Sequence, residues 1–338
     1  MATIQKNLDM VNFVCKFGEF DLLDLFYEVV VPAFFNETHK RTYRGSDYYF
    51  RNVELVDFGK DPLGDGNLLA ITGKFIKNTV VSREQFENEK GEIVIDPKGL
   101  ASAPSSLFVL MLNSHRLLFV HETKDAPHVQ NFKSTIISFL RLELNKYSSS
   151  LTKEDQAKFN VKYAYPTITI TPLSTEKDIV EHLEQFEKIK KVKITLNDRN
   201  SEFDASKMFN TLHHVSKEMN ASASLEFKNF KEGLDKVETP KEVAEALRQD
   251  NQTVMVQGVT RDGENLTLKN DDFKLIKKIN LVQGNITKTI SNMVSAFKSL
   301  VKSGDITVKD TDTKTQNVLD SIDPESVRLN TKDEIKDS

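Results

Sequence analysis

The stretch Leu107-Phe108-Val109-Leu110-Met111-Leu112-Asn113-Ser114-His115-Arg116-Leu117-Leu118-Phe119-Val120 decides the fold class. Two apolar runs too short for helices flank a polar tetrapeptide, the pattern of a central β-hairpin. Upstream, Val11 to Phe17 has the length and apolar content of a strand, and Leu22 to Val30 follows Gly18 as a helix. Tyr48 to Phe58 and Leu68 to Ile76 read as strands around a turn-rich segment from Gly59 to Gly66, and Glu92 to Ile95 is a further extended run. Downstream, Phe132, Ile136, Phe139, Leu140 and Leu144 fall on one helical face. Residues 1–147 are therefore expected to form a β-rich domain with covering helices.

Ser148-Ser149-Ser150 marks the expected boundary, with an α/β domain over residues 151–304. Phe159 to Thr171 alternates like a strand, and Ser174 with Glu176, Asp178 and Glu181 opens a helix whose first turn is acidic. Val192 to Leu196 predicts a strand, Asp204 caps a helix through Met208, Leu212 and Val215, and Ala223 to Phe230 is extended. Pro240 starts a helix through Val243, Ala246 and Leu247, and Val254 to Thr260 and Leu266 to Lys269 flank an Asp262-Gly263 hairpin turn. Alternating strands and helices of this length indicate an α/β sandwich. The last helix, from about Gln283 to Val301, carries Ile286, Ile290, Met293, Val294, Phe297, Leu300 and Val301 on one stripe. That stripe is expected to pack on its own domain, with docking to a second copy as the alternative. The fold class is thus α+β: a β-rich N-terminal domain, then an α/β sandwich domain with a C-terminal amphipathic helix. Residues 305–338 are polar and acidic and are expected to be mobile.

At 338 residues the chain is long enough for two cores, and its 22 Phe supply large side chains to bury. The lone Cys15 excludes an intramolecular disulfide and a cysteine-based zinc site, and the chain is read as cytoplasmic. The richest apolar stretch, Leu22 to Phe35, carries Asp24, Glu28 and Pro32 and is too short to cross a bilayer; it is expected to be a buried helix running into an extended segment. Formal charge divides as −2 over residues 1–150, +2 over residues 151–304 and −4 over the tail. Such a balance does not by itself announce a nucleic-acid binder, although local basic surface still attracts phosphate.

Catalytic and metal motifs are missing from the sequence. His115 and His121 are expected at opposite ends of one strand, too far apart to share an ion with His128, and the adjacent His213 and His214 point apart on a helix. Asn197 to Asp204 gathers oxygen ligands but lacks the glycine and closing glutamate of a calcium loop. Gly64-Asp65-Gly66-Asn67 leads into a strand rather than a helix, so it is no phosphate loop. No cofactor, metal or small-molecule substrate is expected. Two lysine clusters remain: Lys188, Lys190, Lys191 and Lys193, and Lys269, Lys274, Lys277 and Lys278 around Phe273. As phosphate contacts they would track a polyanion without reading its sequence.

The β-rich part ending in the 107–120 hairpin, followed by an α/β part whose Val192 to Leu196 strand enters an Asn-Asp-Arg-Asn loop, resembles a family of prophage and mobile-element proteins. More distantly it resembles the Rex exclusion protein A and the Kiwa defence protein B. The likeness spans residues 45–303 in element order and hydrophobic pattern. It implies a role in phage exclusion or antiviral defence, with binding to DNA or detection of a phage product and signalling to a membrane partner encoded nearby. With the lysine clusters, the leading expectation is a non-enzymatic factor that binds DNA through the second domain. A homodimer is expected alongside it. An adaptor or sensor for a phage protein, contacting it through the acidic tail and Leu22 to Phe35, is one alternative. A divalent-metal nuclease using Asp198, Glu202 and Asp204 is another.

Overall fold

A computed structural model describes residues 2–60, 67–82, 85–95, 99–197, 207–219, 221–248, 252–306, 308, 311, 313–325 and 327. The fold is mixed α+β, as the sequence predicts. It begins with a long strand, β1 (Thr3–Phe17), and β2 (Ser46–Lys60), β3 (Asn67–Ser82), β4 (Ser105–Met111) and β5 (Arg116–His121) follow. Helices α1 (Val129–Ser150) and α2 (Lys153–Lys162) lead to β6 (Thr167–Pro172). Then come α3 (Glu176–Leu183), β7 (Phe186–Leu196), α4 (Lys207–Glu218), β8 (Ser224–Lys228), α5 (Glu238–Arg248), β9 (Gln252–Thr260), β10 (Asn265–Lys269), β11 (Ile276–Val282), α6 (Ile286–Lys302) and α7 (Thr313–Ser321).

The larger sheet runs β6-β1-β5-β4-β3-β2, antiparallel at each step, with shorter strands added at its margins. Strand β1 carries three of its partners. Leu8 to Asn12 pair with β5, while on the other edge Thr3 to Asp9 pair with β11 and Val11 to Lys16 pair with β6. The 107–120 hairpin forms as predicted, with Leu117 opposite Leu110 and Phe119 opposite Phe108.

Successive side chains on a strand point to opposite faces, so a sheet buried on both sides reads as continuous apolar runs. Phe108, Leu110, Leu117 and Phe119 enter one core with Phe13 and Phe17. Leu107, Val109, Leu118 and Val120 enter the other with Leu8 and Met10. Helix α1 covers the first core with the predicted stripe, and its Phe132 lies 5.1–6.4 Å, centroid to centroid, from Phe13, Phe34, Phe50, Phe75, Phe108 and Phe119. Helix α6 covers the second core through Ile290, Met293, Val294, Phe297, Leu300 and Val301. A third core lies under the smaller sheet, β8-β7-β9-β10, beneath α3 and α5.

Several expectations change. Ser148-Ser149-Ser150 is the last turn of α1, and β6 and β11, from beyond it, complete the larger sheet. Phe159 lies in α2, not in a strand, because the Thr152 hydroxyl accepts the Asp155 N–H and caps a helix there. The stripe of α6 packs on strands of the N-terminal half, so it offers no free face to a second copy. Leu22 to Phe35 passes from a 3₁₀ turn through a π turn into an α turn at Val31–Phe35, with Pro32 near that turn's start, instead of ending extended.

The tail also departs from expectation: α7 is helical, and Leu319, Ile322 and Val327 are buried in the first core. Lys314 Nζ meets Asp24 Oδ1 at 2.8 Å. Tail and Leu22–Phe35 segment, each offered by the sequence as a contact for a partner, therefore contact each other. The hairpin tip is buried rather than solvated: Asn113, Ser114, His115 and Arg116 are nearly inaccessible, and Thr311 Oγ1 donates to the Asn113 carbonyl at 3.4 Å. Arg116 Nη1 donates to Asn12 Oδ1 inside this layer.

Candidate nucleic-acid interface

Strand β7 positions four of the eight singled-out lysines. Its apolar residues fall at Phe186, Ile189, Val192, Ile194 and Leu196, all buried. The spacing of three before Val192 breaks strict alternation, and the register with β9 shifts at the corresponding places, between Phe186 and Lys188 and between Ile189 and Lys191. Gly258 on β9 makes the bulges possible. A Cβ there would strike the Lys188 carbonyl and lie 2.7 Å from the Phe186 ring.

Past the bulges the two faces separate cleanly. Val192, Ile194, Val254, Val256 and Leu268 turn toward α3 and α5. Register places the remaining residues in transverse rows on the opposite face: Glu226, Lys193, Met255 and Lys269 in one, and Lys228, Lys191, Gln257 and Thr267 in the next. Ser224, Thr195 and Thr253 continue the surface. Four lysines thus stand against one carboxylate. Lys191 Nζ meets Glu226 Oε2 at 2.7 Å and Lys228 Nζ meets Glu226 Oε1 at 3.5 Å. The hydrogen bond from Lys191, with Lys228 adding to it, holds the Glu226 carboxyl below its ordinary pKa. Lys193 and Lys269 form no ion pair among the described residues.

The other predicted lysines lie elsewhere. Lys188 Nζ donates to the Lys231 carbonyl at 3.1 Å, and half-buried Lys190 sits in the bulge, where its carbonyl accepts the Asn229 N–H. Lys274 follows the 3₁₀ turn that links the sheets and meets Asp9 at 3.7 Å. Lys277 and Lys278 are exposed on β11, opposite Leu8 and Asn7 of the larger sheet. Of the second cluster, only Lys269 therefore shares the smaller sheet with the first.

Sequence reasoning missed one approach. His121 and His128 come together, ring centroids 4.8 Å apart, although His115 is remote from both in the hairpin tip. His121 Nε2 is buried with no hydrogen-bond partner. Among the described residues no group of three or more His, Cys, Asp or Glu is placed to hold a metal ion. Asp198, Glu202, Asp204 and the Gly64-Asp65-Gly66 turn lie outside the described residues, as does the His213 side chain. No described helix is long and apolar enough to cross a membrane.

What fold and surface define is a mixed α+β protein whose smaller sheet has helices on one face and a lysine-bearing other face that no described element covers. No protein-family model matches the chain, and no curated protein matches it.

Proposed function

We propose that the open face of β8-β7-β9-β10 binds the phosphate backbone of nucleic acid, and that the protein serves in the cytoplasm as a non-enzymatic phage-exclusion or defence factor. The observation that supports this most is the pair of rows carrying Lys191, Lys193, Lys228 and Lys269 against the single Glu226. Rows on one face of a strand repeat at about 6.8 Å, two steps of the roughly 3.4 Å rise of a DNA strand. Four strands at about 4.8 Å spacing span roughly 14 Å, and lysine side chains extend that reach toward the width of a duplex. These rows hold no aromatic side chain, so backbone contact rather than base stacking is the mode their chemistry favours. The defence setting rests on the resemblance in element order.

An electrophoretic shift of a 30-base-pair duplex tests the reading. With three or four phosphates neutralised, affinity should fall about forty- to a hundred-and-fifty-fold between 50 and 200 mM salt. The double variant Lys193→Glu, Lys269→Glu should abolish the shift, whereas Lys277→Glu should not. No shift of DNA or RNA at 50 mM salt removes the proposal.

A further inference from the structure

Behind the lysine face, on the helix side of the same sheet, lies a groove of opposite character. We propose that the channel between β8 and α5 is a docking site for an extended, basic segment of another protein, which adds as a strand to the free edge of β8. This is independent of nucleic-acid binding.

Three observations converge. First, β8 is an edge: among the described residues it pairs only with β7. The Ala223 carbonyl accepts the Leu196 N–H and the Asn229 N–H donates to the Lys190 carbonyl. Backbone groups of odd-numbered β8 residues thus point to β7, and those of Ser224, Glu226 and Lys228 point outward, available to a further strand. Second, the groove beside this edge has a volume of about 320 Å³ and an apolar floor of Val192, Ile194, Leu225 and Phe227, walled by Val243 and Ala246 of α5. Phe227 is half exposed at 51%, and nearby in sequence Phe230 is 63% exposed. Third, its lining carries Asp235, Glu238, Glu242 and Glu245 and neither lysine nor arginine; Lys241 Nζ, beside the groove, meets Glu238 Oε1 at 2.8 Å, which leaves the wall acidic on balance.

Each observation selects a property of the occupant. Free backbone groups select an extended chain, because only a strand satisfies them in series. The floor takes alternate large apolar side chains, since Leu225 and Phe227 lie two residues apart on one face. The acidic wall selects lysine or arginine between or beside them. A second copy of this chain fits poorly, because it would bring the same four carboxylates to the junction. The chain's last residues, with Asp333, Glu334 and Asp337, are likewise of the wrong sign.

Selection of a random twelve-residue peptide display library on the intact chain tests the proposal. The expected outcome is enrichment of sequences with large apolar residues at alternate positions and a positive net charge. Binding of the enriched synthetic peptides should weaken at least ten-fold in Phe227→Lys and in Glu242→Lys, and be untouched by Lys193→Glu. Both groove residues are exposed, so these variants should retain the wild-type melting temperature. No enrichment, enrichment of acidic peptides, or binding indifferent to both groove variants overturns the proposal. Concentration-dependent dimerisation lost in Phe227→Lys overturns it too, by assigning the edge to a second copy.

Discussion

His121 is half-buried at the end of β5 with an unpartnered Nε2. Burial pushes its pKa below the ordinary 6.5, and His128 and the lysines Lys6 and Lys274 push the same way, against Asp9. The folded state therefore resists the proton while the unfolded state accepts it. Stability from this residue is fully present above pH 6.5 and is lost progressively below it, as pH falls through the depressed folded-state pKa. Melting temperature should drop between pH 7.5 and 5.5 in the wild type and drop less in His121→Gln; equal slopes would contradict the burial argument. The sequence hid this approach because His121 and His128 belong to different elements, and only the path of the connecting segment brings their rings together. The opposite holds for Phe132 and the α1 stripe, which 3.6-residue periodicity made legible directly.

At the scale of elements, β7 and β9 illustrate how packing writes itself into sequence. The bulged stretch of β7 approaches β9 so closely that Gly258 has no room for a side chain. Gly258→Val should cost about 1–3 kcal/mol in urea unfolding, through overpacking against backbone that cannot retreat; an unchanged midpoint would mean that the bulge adjusts freely. The Ile189 to Val192 spacing carries the bulge signal, while the expected strand, Val192 to Leu196, covers only the part of β7 beyond the bulges. Strand β11 was illegible for the converse reason. Lys277 and Lys278 make it polar near its start, and only Ile279 and Leu281, with Leu275 just before the strand, enter the second core. Phe159 shows a third limit, since its neighbourhood suits either period and the Thr152 cap decides for helix.

Across the whole molecule, long-range pairings escape a reading that works from neighbours. Nothing local tells β1 to accept β6 and β11 in tandem, and mean polarity of the tail conceals three apolar side chains that suffice to dock it. Deleting residues 313–338 exposes that part of the first core, with an upper bound of about 1.5–3 kcal/mol for each of Leu319, Ile322 and Val327. A lower melting temperature with undiminished duplex binding is expected; an unchanged melting temperature would contradict the docking. The lysine face itself was half legible: composition located the amines, but only strand register shows which share a surface. The most direct measurement of its role is the slope of log affinity against log salt for a fluorescent duplex, by anisotropy, in wild type and in Lys193→Gln, Lys269→Gln. A wild-type slope near −3 that falls in magnitude by about two in the variant is expected. Equal slopes, or no binding at low salt, would contradict the assignment.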